Sequence, residues 1–370
     1  MPDIAGDGPE EQPLFSERPD WTDVTPVPQY EGYNPIAPIF YTPQYKDATD
    51  YFRGIVKTNE KSERVLELTE AIIRLNPAHY SAWQYRYHTL LAIKAPLDAE
   101  LKLMDSLAVQ FLKTYQVWHH RRLILTAIYS PPPSNASGLN DPTATTSSSA
   151  KSKPSPESQA AARTELAFIT RVLMVDAKNY HTWSYRQWLL AFFDDVHLWE
   201  GELGFVERLL EEDVRNNSAW HHRFFVVFGR GQLQGEEDRV AVLKRELSYT
   251  KDQIALAPNN ASAWNYLRGI LERTGTSFSN LRSFVEPYTK THEDRLGDEE
   301  ILDLENPAPS AEAELPCVAA LEFLADIYEK DAVSKSVEIW KRLANELDTM
   351  RKKYWEYRIK EALKDVPVQS

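Results

Sequence analysis

Tyr180-His181-Thr182-Trp183-Ser184-Tyr185-Arg186 is one of four copies of the same block in this chain. The others are Tyr80-Ser81-Ala82-Trp83-Gln84-Tyr85-Arg86, Tyr115-Gln116-Val117-Trp118-His119-His120-Arg121 and Asn217-Ser218-Ala219-Trp220-His221-His222-Arg223. Looser copies surround Trp264, where Arg268 arrives one place late, and Trp355 with Arg358. From Trp83 to Trp264 the tryptophans of the blocks step by 35, 65, 37 and 44 residues. The long step contains Pro131-Pro132-Pro133 and a Ser/Thr run, and removing about thirty residues of it restores a period typical of helical-hairpin arrays.

Each period has room for two helices. Val65, Leu68, Ile72 and Leu75 ahead of Trp83, and Leu203, Val206, Leu210 and Val214 ahead of Trp220, follow amphipathic helical spacing. A polar junction such as Asn76-Pro77 or Pro258-Asn259-Asn260 follows, and the Trp helix starts after it. No window alternates as a strand would. One hairpin cannot cover its own apolar face, so the units must stack; the expected fold is all-α, an α-α superhelix in the form of a crescent-shaped solenoid. Trp and Arg three apart share a helix face, where Trp fills the gap between hairpins and Arg pairs with a neighbouring carbonyl or carboxylate. These residues build the fold and are not read as chemistry.

Composition limits what else the chain does. Hydrophobic residues make up 42% and charged residues 26% of its 370 positions, as in ordinary globular proteins. No apolar run fits a signal peptide or an integral membrane segment. The single Cys317 forbids an internal disulfide and fits a reducing, cytoplasmic setting. The net charge of -13 is local: residues 1–50 carry ten acids against Arg18 and Lys46, and residues 292–314 carry nine against Arg295, so each segment nets -8 and the rest +3. The acidity therefore says nothing about nucleic acid or calcium, and the mildly basic body suits an anionic ligand. Nine of 23 prolines precede residue 44. Residues 1–44 are expected to be an extended, Pro-rich acidic arm rather than a packed element, and 45–365 the repeat domain, with a disordered insertion at 130–157 and an acidic loop at 292–314.

Equivalent junction positions of stacked hairpins line up as rows. Five residues before each Trp stand Ala78, Lys113, Lys178, Arg215 and Asn259; three before stand Tyr80, Tyr115, Tyr180, Asn217 and Ala261; two before stand Ser81, Gln116, His181, Ser218 and Ser262. Cations, tyrosines, Gln and His thus gather at helix N-termini, which favour phosphate or carboxylate. On spacing alone the same residues also serve as plain solvated junctions. No Gly-rich phosphate loop, Gly-x-Ser-x-Gly or His-Glu-x-x-His occurs. His119/His120 and His221/His222 point about 100° apart on a helix and cannot chelate one ion well, which leaves packing or surface roles. No metal site is expected in this chain.

The repeats resemble those of protein prenyltransferase α-subunits over about residues 21–365. Asp23-Val-Thr-Pro-Val-Pro-Gln29 leading to Tyr51-Phe-Arg53 is similar to the N-terminal approach of the farnesyltransferase α-subunit. So are Asn179-Tyr-His181, Asp213-Val-Arg-Asn-Asn-Ser218, Ser262-Ala-Trp-Asn-Tyr-Leu267 and Tyr354-Trp-x-Tyr357. The resemblance implies a heterodimer with a β-subunit, either that of farnesyltransferase or that of geranylgeranyltransferase type I. It would transfer a farnesyl or geranylgeranyl group from its diphosphate to the Cys thiol of C-terminal Cys-a-a-X sequences. It also implies zinc bound by the β-subunit and magnesium in the farnesyl reaction.

Residue by residue, Lys113 matches the family lysine facing the departing diphosphate, with Tyr115 near the same group. Gln116 matches the glutamine that holds the peptide carboxylate, and Tyr80 a tyrosine near the peptide exit. Lys178, Asn179, Tyr180 and His181 match a stretch lining the diphosphate and isoprenoid. Thr114 stands where the family usually has Asn, and the 130–157 insertion is no core family feature. Two other readings share some of these features. The Rab geranylgeranyltransferase α-subunit has the same repeats without the Pro-rich arm. A non-catalytic tetratricopeptide-like scaffold would leave the Lys-Tyr-Gln and Lys-Tyr-His junctions without a purpose.

Overall fold

The computed structural model describes residues 13–30, 32, 34–129, 155–229, 236–295, 303 and 305–364. Most of the expected insertion, 130–154, lies outside them. Regular structure starts where the sequence gives a start signal. The Thr42 hydroxyl accepts from the Tyr45 amide and Pro43 takes the first helical position, opening α1 (Pro43–Thr58). Asn59, in the left-handed conformation, ends it. Helix pairs follow: α2 (Glu63–Leu75) with α3 (Tyr80–Ala92), and α4 (Leu97–Gln110) with α5 (Tyr115–Tyr129). Then come α6 (Pro156–Val175), α7 (Tyr180–Phe193), the short α8 (Val196–Glu200), α9 (Glu202–Glu212), α10 (Asn217–Phe228), α11 (Glu236–Leu256) and α12 (Ala261–Thr274). The chain continues through α13 (Arg282–Val285), α14 (Val318–Asp331), α15 (Val333–Arg342) and α16 (Lys352–Lys364). No strand occurs among the described residues. Contacts divide the chain into two units. One holds residues up to 158 plus 179–185; the other holds 159–178 and everything from 186 onward.

In the first unit Val65, Leu68 and Ile72 are fully buried, whereas Leu75, expected on the same face, is half exposed because it ends α2. The described part of the N-terminal arm ahead of α1 lacks α-helix but is packed, contrary to the sequence expectation. Phe15 and Trp21 are buried against Tyr51 of α1, and the Phe15 amide donates to Asp47 at 2.6 Å. Arg64 on α2 binds Asp23 and Glu60, each at 2.7 Å. Gly54 allows the crossing, since a Cβ there would stand 2.5 Å from the Thr25 carbonyl. Two aromatic anchors among the prolines supply the burial that composition alone hides.

In the second unit Val206 and Leu210 of α9 are buried, while Val214 falls in the junction beyond the helix. The acidic stretch is partly docked here: Lys251 on α11 donates to the Glu305 carbonyl and Asn306, and Tyr288 to the Pro307 carbonyl.

Both units use the same two devices. Four repeat tryptophans donate their indole N–H to the carbonyl six residues earlier: Trp83 to Pro77, Trp118 to Leu112, Trp220 to Val214 and Trp264 to Pro258, at 2.8–3.0 Å. A later helix then reaches the same carbonyl. Asn179 Nδ2 donates to Leu112 at 3.1 Å and Asn260 Nδ2 to Val214 at 2.7 Å. At Pro258 the buried Cys317 thiol takes the Asn role at 3.0 Å, and burial pushes its pKa up, so it is a structural thiol. The second device answers where the repeat arginines go. Arg86 binds Glu100 on the next hairpin through two contacts of 2.7 Å, and His120 Nε2 donates to the same carboxylate at 2.8 Å. Arg186, Glu202 and His222 repeat this set, and in Arg223, Glu246 and Tyr266 a tyrosine replaces the imidazole. One residue of each His pair, His120 and His222, is therefore packing, as the helical geometry required; His119 stays at the surface.

Candidate functional site

The first residues of α3, α5 and α7 are Tyr80, Tyr115 and Tyr180, and all three are exposed, at 72%, 56% and 65%. Large aromatics at the first turn of three helices, standing in solvent, need another explanation than core packing. Each sits at the positive end of a helix dipole.

Within the first unit the tyrosines have company. Tyr115 stacks on His119 at 5.6 Å and meets His181 at 6.3 Å, and His181 lies 4.5 Å from Tyr180. Desolvation holds the His181 pKa below its ordinary value, and a hydrogen bond to the Lys113 backbone opposes that only in part. The Tyr115–His181 contact brings the junctions carrying Lys113 and His181 side by side. Lys113 itself is exposed and forms no ion pair among the described residues, which leaves its ammonium available. A groove of about 380 Å³ runs beside Tyr80, Tyr115 and Gln116, with Gln84, Tyr87, His88, His119 and Leu123 on its walls and His120 among its lining residues. Sequence reasoning missed these wall residues. Their spacing of four, seven and eight from the tyrosines, one helix face, was the signal available.

Two predicted residues stand apart. Asn179 is not at the surface; it is 4% exposed and both ends of its amide are engaged. Its Oδ1 accepts from the His181 and Thr182 amides, capping α7, while Nδ2 holds Leu112. It positions the His181 end of the site. Lys178, in the second unit, is exposed and paired with Asp213 at 2.8 Å, which lowers the Asp213 pKa. No group of three or more His, Cys, Asp or Glu side chains placed for a metal occurs among the described residues.

The repeat profile described as "Protein prenyltransferase alpha subunit repeat" matches residues 62–93, 97–128, 162–193, 199–229 and 243–274. The protein farnesyltransferase/geranylgeranyltransferase type-1 subunit alpha of Schizosaccharomyces pombe is 36% identical over 93% of this chain and 95% of its own length. The chain belongs to this prenyltransferase α-subunit family. A solved structure of Candida albicans protein geranylgeranyltransferase-I complexed with GGPP aligns with a TM-score of 0.71 at 30% identity, covering 93% of this chain and 98% of its own. The α-subunit fold class is accordingly the all-α superhelix expected from the Trp spacing. The mouse geranylgeranyl transferase type-2 subunit alpha matches less well, 29% identical over 62% of this chain and 37% of its own, so the type-2 rival recedes. The five matched repeats coincide with the helix pairs that carry Trp83 to Trp264.

Proposed function

We propose that this chain is the α-subunit of a heterodimeric prenyltransferase that serves both the farnesyl and the type-I geranylgeranyl reaction, with the tyrosine-bearing helix N-termini as its share of the active site. The observation that carries the reading is the meeting of Tyr115 and His181 where α5 and α7 begin, with Tyr115 two residues from Lys113 in the chain. The substrates are an isoprenoid diphosphate and a protein ending in Cys-a-a-X. The setting is the cytoplasm, in keeping with one buried thiol and, among the described residues, no helix long and apolar enough to cross a membrane.

The chemistry asked of these residues is electrostatic. As the bond between C1 and the diphosphate lengthens, negative charge builds on the leaving group. The Lys113 ammonium and the Tyr115 hydroxyl, beside the α5 N-terminus, stabilise it as it develops. Gln116 offers its amide N–H to the carboxylate of the peptide, and Tyr80, on the same groove, borders the peptide's way out. Tyr180 and His181 line the isoprenoid side, with Asn179 fixing their helix. Lys178 is assigned to diphosphate by the resemblance alone, and its ion pair with Asp213 would have to give way for that role. Zinc belongs to the β-subunit and magnesium to the farnesyl reaction; the described residues of this chain do not fit a metal, and their work does not depend on one here. Combining the full chain with each β-subunit and measuring prenyl transfer to Cys-a-a-Leu and Cys-a-a-Met peptides tests the reading. Transfer with neither partner refutes it.

A further inference from the structure

Residues 34–42, between the N-terminal arm and α1, leave three large apolar side chains in solvent: Ile36, Ile39 and Phe40 are 105%, 62% and 90% exposed. The stretch, Asn34-Pro-Ile-Ala-Pro-Ile-Phe-Tyr-Thr42, has no charged residue. Pro35 and Pro38 fix the backbone φ and keep the segment out of helix. It is nonetheless held in place. The Ile39 amide donates to the Tyr30 hydroxyl at 2.7 Å, and Tyr41 packs edge-on against Tyr45 at 4.7 Å. Tyr45 in turn accepts from Asn76 at 2.7 Å and lies 6.2 Å from His79, the residue before Tyr80. The strap is therefore continuous with the end of α3 that carries the candidate site.

We infer that this strap is a docking surface for an apolar, uncharged patch of the β-subunit, an inference that rests on the proposed function. Grouped apolar side chains this exposed mark an interface rather than a solvent face. Because the strap is already ordered, docking costs it little conformational entropy. Its continuity with the Tyr80 end of the site selects the subunit that must cover that site. Its lack of Lys and Arg argues against an anionic membrane or nucleic acid, both of which need basic residues.

The test uses the full chain, wild type and Ile36→Asp/Phe40→Asp, with Ile36→Ser/Phe40→Ser as the milder pair. Affinity for each β-subunit is titrated, alongside the melting temperature of the chain alone and kcat at saturating partner. The expected result is about tenfold weaker association for the Ser pair and a hundredfold or more for the Asp pair, the scale of losing interface anchors. Melting temperature and kcat should not move. Unchanged affinity overturns the inference. So does loss of self-association with β affinity kept, which would make the occupant a second copy. A lowered melting temperature would also overturn it, because side chains so exposed stabilise the chain only if they pack on it. If the wild-type chain binds neither β-subunit, the proposed function falls, a failure seen without any substitution.

Discussion

Replacing Glu100 by Gln probes the device that ties one hairpin to the next. Glu100 is 4% exposed and receives Arg86 twice and His120 once. Burial pushes its pKa up, but the His120 hydrogen bond and the Arg86 guanidinium more than reverse this, and the carboxyl falls from 4.5 to about 2. That drop corresponds to roughly 3 kcal/mol, at the low end of the 3–5 kcal/mol typical of breaking a buried ion pair. Since the folded pKa lies below the unfolded one, the stabilisation is complete above about pH 4.5 and disappears as pH falls toward 2. Urea unfolding of wild type and Glu100→Gln, followed by tryptophan fluorescence between pH 2.5 and 7, should show a gap of about 3 kcal/mol at neutral pH that closes on acidification. A gap below about 1 kcal/mol at pH 7, or one that stays constant down to pH 3, refutes the argument. The double change Arg86→Met/Glu100→Leu should cost far less than Glu100→Gln, because no charge is left buried alone.

Other changes separate rate, binding and fold. Lys113→Ala should slow the chemical step about 10²-fold in single-turnover kinetics, with isoprenoid diphosphate affinity changed much less; an unchanged step refutes the charge-stabilising role. Gln116→Ala should raise the peptide KM with a smaller effect on the step, and a fall in kcat alone would contradict it. Asn179→Ala should cost about 1–2 kcal/mol of stability from the lost cap, and a variant of wild-type stability with lost diphosphate binding would return Asn179 to the ligand. Trp183→Ala should destabilise by about 3–5 kcal/mol, so wild-type melting behaviour would refute the structural reading of the repeat tryptophans.

The Trp blocks made the helical hairpins legible because indoles at one period have a single use, filling the space between stacked units. The partners of the repeat arginines were not legible. Glu100, Glu202 and Glu246 lie 14, 16 and 23 residues from their arginines, since the intervening turns differ in length, so no fixed spacing announces them. The exposed tyrosines were visible as junction residues at a constant distance from Trp. The capping role of Asn179 was not legible because a cap and a surface ligand look alike in sequence: both are polar residues just before a helix. Phe15 and Trp21 were lost among prolines and acids, a composition that suggests a free tail until two rings find Tyr51. Cys317 offered no sign that it stands where earlier units use Asn.

The shared carbonyl of Leu112 bears on how this molecule tolerates change. Its two donors, Trp118 and Asn179, are 61 residues apart in the chain, yet the second contact is the same as in the Val214 pair, where the donors are 40 apart. The register between neighbours is set by a side-chain latch onto a peptide group and not by the length of the tether joining them. Because closure entropy grows only as the logarithm of tether length, doubling such a connection costs about 0.6 kcal/mol. Evolution could therefore splice long segments after α5 without disturbing the stacking. By the same logic a chain severed there, expressed as two fragments, should find its own alignment again, making this protein a candidate for split-reporter engineering.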